Sequence, residues 1–257
     1  MSQLEFLKFI CRTDNYGVLV HDPVTGETAS IDAPDGAEIE RQLKQKGWRL
    51  THIFTTHHHG DHVEGNAALR AAYGCAVIGP KDEADRIPGL THPVPGGSSF
   101  IWAGHDVHIL ACPGHTSGHI AYHMPAAKVV FAGDTVFSLG CGRVFEGSLG
   151  EMFGAVSQFA TLPRDTLLYC GHEYTQSNAR FALSVEPGNT ALQKRAAEVE
   201  ELRARGLMTC PSTIGAELET NPFLRTQSPE IRNALGLTQA TDAEVFAELR
   251  RRKDVFK

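Results

Sequence analysis

Thr56-His57-His58-His59-Gly60-Asp61-His62 is the stretch that decides how this chain folds and what chemistry it carries. It follows Leu50–Thr55, an apolar run whose length predicts a short buried strand, and it leads into Val63–Tyr73, which reads as helix. Residues two apart on an extended backbone point the same way, so His57 and His59 can share one metal while His58 faces away. Asp61 and His62 sit at the turn into the helix and can aim at a second point nearby. A solvated polar loop has no need of such a concentration of ligands at the end of a buried strand. Imidazole and carboxylate together suit zinc and related metals.

One short loop rarely completes two metal sites, so further ligands are expected elsewhere. Pro113-Gly114-His115-Thr116-Ser117-Gly118-His119 follows the predicted strand His105–Ala111. Gly133-Asp134-Thr135 follows Lys128–Ala132, and Gly171-His172-Glu173 follows Thr166–Cys170. Each candidate lies just beyond a strand end, where α/β architectures gather ligands from distant parts of a chain. Singly, each is an ordinary turn residue. Together, His57, His59, Asp61, His62, His115, Asp134 and His172 make a coherent set.

The rest of the sequence is compatible with an enzyme of one large domain and an appendage. The chain has 257 residues, 42% hydrophobic and 21% charged, enough for a sizeable core and against wholesale disorder. A net charge of −6 argues against general attraction to nucleic acid or anionic membrane. Eleven of the 13 histidines fall between His52 and His123. The six cysteines are scattered without a CxxC pair, as reduced buried thiols would be. No leader-like start and no run long enough to span a bilayer is seen, so the expectation is a cytoplasmic protein.

Strands are predicted at Leu4–Ile10, Tyr16–His21, Thr28–Ala33, Cys75–Ile78 and His119–His123, with helices at Ala37–Lys46 and Leu149–Leu162. Strands in groups, with helices between them, suggest sheets sandwiched by helices. After about Glu173 the pattern turns helical: Thr175–Leu183, Thr190–Arg205, Pro229–Ala234 and Asp242–Arg251, with Cys210–Arg225 as an extended connection. Charge divides at the same place, since residues 1–172 carry the whole net charge and residues 173–257 are neutral. The expected domains are 1–173 and 174–257.

The His57-His58-His59-Gly60-Asp61-His62 segment, with His115, Asp134 and His172, resembles the metallo-β-lactamase superfamily pattern. That resemblance implies an α/β (α+β) αββα sandwich with two divalent metals, zinc first and iron or manganese as alternatives. It assigns His57, His59 and His115 to one metal, Asp61, His62 and His172 to the other, and Asp134 to both. His58 and His119 are left to loop hydrogen bonding. Gly140-Cys141-Gly142-Arg143, Gly171-His172-Glu173-Tyr174-Thr175, Thr220-Asn221-Pro222-Phe223-Leu224-Arg225 and Arg250-Arg251-Arg252-Lys253-Asp254-Val255-Phe256 are similar to the glyoxalase II family of hydroxyacylglutathione hydrolases. The similarity covers essentially the whole chain, helical appendage included.

The family resemblance implies hydrolysis of S-D-lactoylglutathione to D-lactate and glutathione, the second step of methylglyoxal detoxification. Asp61 and Asp134 would serve the catalytic centre, where a hydroxide held between two metals is the nucleophile. Arg143, Tyr174, Arg250 and Lys253 would contact glutathione, an anionic ligand that calls for basic partners. Arg250 and Lys253 are three apart and share one helix face, whereas Arg251 and Arg252 read as solvated or structural. Phe145 stands where related enzymes can carry tyrosine, which removes a hydroxyl worth about 0.5–1.5 kcal/mol and keeps the ring. Arg143 stands where lysine is frequent. A thiol of pKa about 8.5 leaves without a strong general acid, which favours a thioester over an amide. The rivals are a persulfide dioxygenase or lactonase of the same superfamily, and a metal- or glutathione-binding module without turnover. A closed structural zinc site would use four ligands and much cysteine, and none of the seven is cysteine. The expected working form is a monomer that binds neither nucleic acid nor membrane.

Overall fold

The computed structural model describes residues 3–256. Within it the chain forms two compact units. One takes the chain up to Ala111 together with Thr116–Gly133; the other takes Cys112–His115 and the chain from Asp134 onward.

The first unit opens with strands β1 (Glu5–Cys11), β2 (Asn15–His21) and β3 (Thr28–Ile31), an antiparallel meander. Helix α1 (Gly36–Lys46) follows, with Asp35 accepting from the Ala37 and Glu38 amides as N-cap and Gly47 ending it in the left-handed conformation. Strand β4 (His52–Phe54), the short helices α2 (Gly60–Val63) and α3 (Asn66–Tyr73), β5 (Ala76–Pro80) and β6 (His92–Val94) complete a sheet ordered β1 to β6. From β3 to β6 its strands are parallel. A second, antiparallel group is made by β7 (Ser99–Trp102), β8 (His105–Ala111), β9 (Ile120–Met124) and β10 (Val129–Phe131).

Phe54 joins these two sheets. Its ring stacks on Tyr122 at 5.2 Å and meets Phe100 and Trp102 edge-on at 5.4 and 5.7 Å. The opposite face of the first sheet buries Phe9, Leu19, Ile53 and Val77 against Ile39, Leu43 and Leu69 of the helices. Helix, sheet and sheet are thus stacked as expected of a sandwich. The helix predicted over Val63–Tyr73 is interrupted. The His62 carbonyl accepts from the Ala33 amide and the Gly65 amide donates to the Ala33 carbonyl, so the chain bends around residue 33 between α2 and α3.

The second unit carries a small hairpin, β11 (Val136–Phe137) and β12 (Gly140–Cys141), then helix α4 (Leu149–Phe159) and strand β13 (Leu167–Tyr169). Helices α5 (Thr175–Val185) and α6 (Thr190–Ala204) follow, packed through Ala179, Ala182, Leu192 and Ala196. The stretch expected to be extended is ordered instead. It holds β14 (Ser212–Thr213), which pairs with β13, then α7 (Ile214–Thr220) and the 3-10 turn Pro222–Leu224. Its Ser, Thr and Asn residues act as caps: Thr213 accepts from the Ala216 amide and Asn221 from the Phe223 amide. Helices α8 (Pro229–Leu235) and α9 (Asp242–Val255) end the unit, with Phe246 of α9 against Phe153 of α4 and Phe223.

The six cysteines are buried, and burial pushes the Cys11 thiol up to about 12 and that of Cys141 up to about 11. Among the described residues no helix is long and apolar enough to cross a membrane.

Phe54 is 1% exposed and contacts three rings of the facing sheet. Phe54→Ala is expected to cost about 3–5 kcal/mol in denaturant unfolding, as large aromatic deletions in cores do.

Candidate metal centre

In the first unit, the loop after β4 is set by a buried carboxylate. Asp32, just past the end of β3, accepts from the Thr56 amide at 2.7 Å and the Thr56 hydroxyl at 2.9 Å. Its Oδ2 also lies 2.8 Å from Nδ1 of His62, which fixes the His62 proton on Nδ1 and leaves Nε2 to ligate. Thr56 Oγ1, its proton given to Asp32, accepts from Nδ1 of His57 at 3.0 Å. Nε2 of the buried His57 is thereby aimed at Nδ1 of His59, 3.1 Å away. His58 turns the other way, as its place in the alternation requires: its amide and its Nδ1 both meet Glu83. Asp61 is partly exposed, accepts from the Asn15 side-chain amide at 3.0 Å, and has Oδ2 3.7 Å from Nε2 of His62. His119 is buried, and its ring stacks on His57 at 4.7 Å.

In the second unit, Asp134 stands between two histidines. Its Oδ2 lies 3.5 Å from Nε2 of His115 and 3.3 Å from Nε2 of His172. Nδ1 of His115 donates to the Arg143 carbonyl at 2.9 Å, which leaves Nε2 as its ligating atom. The Gly-Cys-Gly motif explains itself here. A Cβ on Gly142 would strike the Asp134 carbonyl and crowd Nδ1 of His115 at 3.3 Å, so only glycine lets the hairpin pass this closely.

The donor spacings can be tested against a metal. Ligand bonds of about 2.0–2.1 Å in a tetrahedron place donor atoms about 3.3 Å apart. The separations within each unit, 3.1 Å for His57–His59 and 3.3 and 3.5 Å about Asp134, match that edge. The second ring nitrogens of His57, His62 and His115 are engaged by Thr56, Asp32 and a carbonyl, as metal-ligating histidines require. The donor set fits divalent metal ions.

The second unit also gathers the basic residues expected to meet the substrate. Arg250 is buried beneath the hairpin: Nη1 donates to the Cys141 carbonyl at 2.7 Å, Nη2 pairs with Asp254 at 3.0 Å, and the guanidinium lies 5.3 Å from the Phe223 ring centroid. Lys253 donates to the Ser177 hydroxyl at 3.0 Å and is flanked by the rings of Phe181 and Phe256. Burial, then the charges of Arg250 and Arg143, draw its ammonium down to about 8, against the opposing pull of Asp254. Arg143 is exposed, 3.8 Å from Asp254. Tyr174 lies flat on His172 at 4.8 Å, and the exposed Phe145 meets His115 edge-on at 5.2 Å. Arg251 and Arg252 pair with Glu248, and Arg252 also donates to the Ala234 and Leu235 carbonyls that end α8.

Sequence reasoning missed Asp32, Thr56 and Asn15, the residues that orient the ligands. Asp32 follows β3 in the structure, but the strand expected over Thr28–Ala33 enclosed it, which hid the signal of a carboxylate beyond a strand end. Asp32→Asn replaces one acceptor with an N–H facing His62. It is expected to weaken metal binding about 10–100-fold, checked by chelator competition.

A model of the metallo-β-lactamase superfamily matches residues 9–172, and one described as hydroxyacylglutathione hydrolase C-terminus matches residues 173–256. The chain is 57% identical over 254 residues to a hydroxyacylglutathione hydrolase of Brucella anthropi, covering 99% of this chain and 98% of that one. It is 55% identical over 256 residues to that of Rhizobium meliloti, covering 100% of both. Among solved structures, ETHE1 from Myxococcus xanthus superposes with a TM-score of 0.67 at 23% identity, over 96% of this chain and 97% of that one. A metallo-β-lactamase from Staphylococcus aureus does so with a TM-score of 0.67 at 21% identity, over 98% of this chain and 72% of that one. These two likenesses show the metallo-β-lactamase fold. Full-length identity of this order, together with the two consecutive family models, places the chain in the hydroxyacylglutathione hydrolase family of the metallo-β-lactamase superfamily.

Proposed function

We propose that this protein hydrolyses hydroxyacylglutathione thioesters, S-D-lactoylglutathione foremost, to the 2-hydroxy acid and glutathione, the second step of methylglyoxal detoxification. The observation that carries this reading is 55–57% identity, over essentially the whole length, to proteins named hydroxyacylglutathione hydrolase. In it, residues 1–173 form the catalytic domain and residues 174–257 the substrate-binding domain. His57, His59 and His115 would hold one metal and Asp61, His62 and His172 the other, with Asp134 serving both. Zinc is the first choice, and iron or manganese suits the same donors. Bacterial relatives support a cytoplasmic location, and we take the working form to be a monomer.

Two divalent metals held there would supply Lewis acidity and an activated water at neutral pH. The chain's residues do the rest. Asp61, steadied by Asn15, orients the attacking water and accepts its hydrogen bond. Asp134 keeps His115 and His172 on a common point. Arg143 and Lys253 draw in the carboxylates of glutathione, and Arg250 adds charge from beneath the hairpin. Tyr174 and Phe145 flank the path with ring surface. The departing thiolate needs no strong acid, given a thiol pKa of about 8.5.

Metal-quantified protein should release free thiol from S-D-lactoylglutathione, and failure to do so refutes the reading. Asp134→Ala should lose metal and lower turnover by more than about 100-fold, beyond what outer-sphere substitutions cost; unchanged turnover sinks the ligand assignment.

Lys253 gives a pH signature. Its ammonium is charged below about 8 and neutral above, so attraction for an anionic substrate is complete below that pH and is lost above it. Arg250, Arg143 and Asp254 face it. kcat/KM should therefore fall as pH rises through about 8. Lys253→Met should abolish that step for glutathione thioesters, and a simple acyl thioester should not show it.

A further inference from the structure

Glu83 is a buried carboxylate that the reaction does not use. It sits in the 3-10 turn Lys81–Arg86 and is 1% exposed. Its Oε2 accepts from the His58 amide at 2.8 Å and lies 2.7 Å from Nδ1 of His58. Its Oε1 accepts from the Thr116 hydroxyl at 2.5 Å and from the Gly118 amide at 2.8 Å. Four donors converge on one side chain, the arrangement that makes a buried charge tolerable.

What those donors belong to is informative. The His58 amide is part of the peptide that links His57 to His58, so holding it fixes the orientation of that peptide. Thr116 directly follows His115, and Gly118 directly precedes His119, whose ring stacks on His57. The fit is tight: a Cβ on Gly118 would lie 2.7 Å from Cγ of Glu83. One carboxylate therefore grips the middle of the first ligand loop with one oxygen and the segment after His115 with the other.

We propose that Glu83 is a positioning residue for the metal centre. It holds the loop bearing His57 and His59 against the segment that begins at Thr116, and so sets the orientation of the His57–His59 donor pair and its affinity for a metal. This role presupposes that His57 and His59 are ligands of one metal. It acts through His58 and Thr116 and touches neither metal nor substrate.

The test compares wild type with Glu83→Gln, Thr116→Val and Thr116→Ser. Glu83→Gln keeps the volume but turns an N–H2 group toward one set of donors. Thr116→Val removes one of the two bonds to Oε1, and Thr116→Ser restores the hydroxyl. Each protein is titrated with zinc against a chromophoric chelator, its cobalt(II) absorption spectrum is recorded, and kcat and KM are measured separately. Glu83→Gln is expected to weaken zinc binding about 10–100-fold, to shift the cobalt spectrum and to lower kcat with KM within about twofold. Thr116→Val should do the same to a smaller degree, and Thr116→Ser should return to wild type. If Glu83→Gln does not fold, the Thr116 pair decides. Variants that lose thermal stability but keep wild-type zinc affinity and cobalt spectrum overturn the proposal, since Glu83 would then serve stability alone. Wild type that binds metal but leaves the thioester intact refutes the functional reading, and the metal measurements still decide the role of Glu83.

Discussion

The buried carboxylate of Asp32 is the contact on which the first ligand loop depends. It receives the Thr56 amide and hydroxyl and faces Nδ1 of His62, three groups brought from two sides of a turn. A carboxylate with this little exposure has to be hydrogen-bonded through most of its lone pairs, or burial would exclude its charge. The same contacts that satisfy it also choose the His62 tautomer. Through Thr56 they choose that of His57. Stability of the loop and readiness for a metal are therefore one arrangement, and the Phe54–Tyr122 contact between the sheets immediately precedes it in the chain.

In the second unit a buried polar network plays the corresponding part. Glu217, fully buried, accepts from the Leu139 amide, the Asn221 side chain and Arg195. Arg195 in turn donates to the hydroxyls of Ser138, Ser212 and Thr220. Asn221 also donates to the carbonyls of Phe137 and Gly140. The hairpin β11–β12 is thus gripped along its whole length, and it is the segment that joins Asp134 to Gly142 and Arg143. Removing one partner from such a network leaves the others buried and unpaired, which costs more than the single bond. The Thr-Asn-Pro-Phe-Leu-Arg motif belongs to this scaffold, since Asn221 holds the hairpin and Arg225 makes a paired contact with Glu186.

How far the sequence revealed this depended on whether a feature is local. The ligand loop is local, because alternation along a strand end separates His57 and His59 from His58, and the structure turns His58 to Glu83 accordingly. Helices with capping residues, α1 and α6 among them, fell within a residue or two of expectation. Strand β6, with Pro93 in its middle and little burial, offers no periodic signal, so its parallel pairing with β5 was invisible. The region around β14 and α7 looked like loop because its Ser, Thr and Asn residues read equally as turn formers and as caps. Glu83 is the extreme case. Its partners lie 25 to 35 residues away, and nothing in Lys-Asp-Glu-Ala-Asp-Arg marks one acid as buried.

The basic residues of α9 show why a shared helix face does not imply a shared role. Arg250 and Lys253 lie one turn apart, yet the guanidinium of Arg250 is spent on the Cys141 carbonyl, on Asp254 and against Phe223. Its several fixed donors suit it to holding backbone. Lys253 has a single flexible ammonium, set between two rings and a serine, whose charge its neighbours have made conditional. Exchanging the two would fail in both directions: lysine could not bridge hairpin and helix, and arginine would not respond to pH. An anionic ligand arriving beside Arg143 and Lys253 would favour the charged ammonium and raise its affinity for the proton, so that binding and protonation reinforce each other at this end of the site.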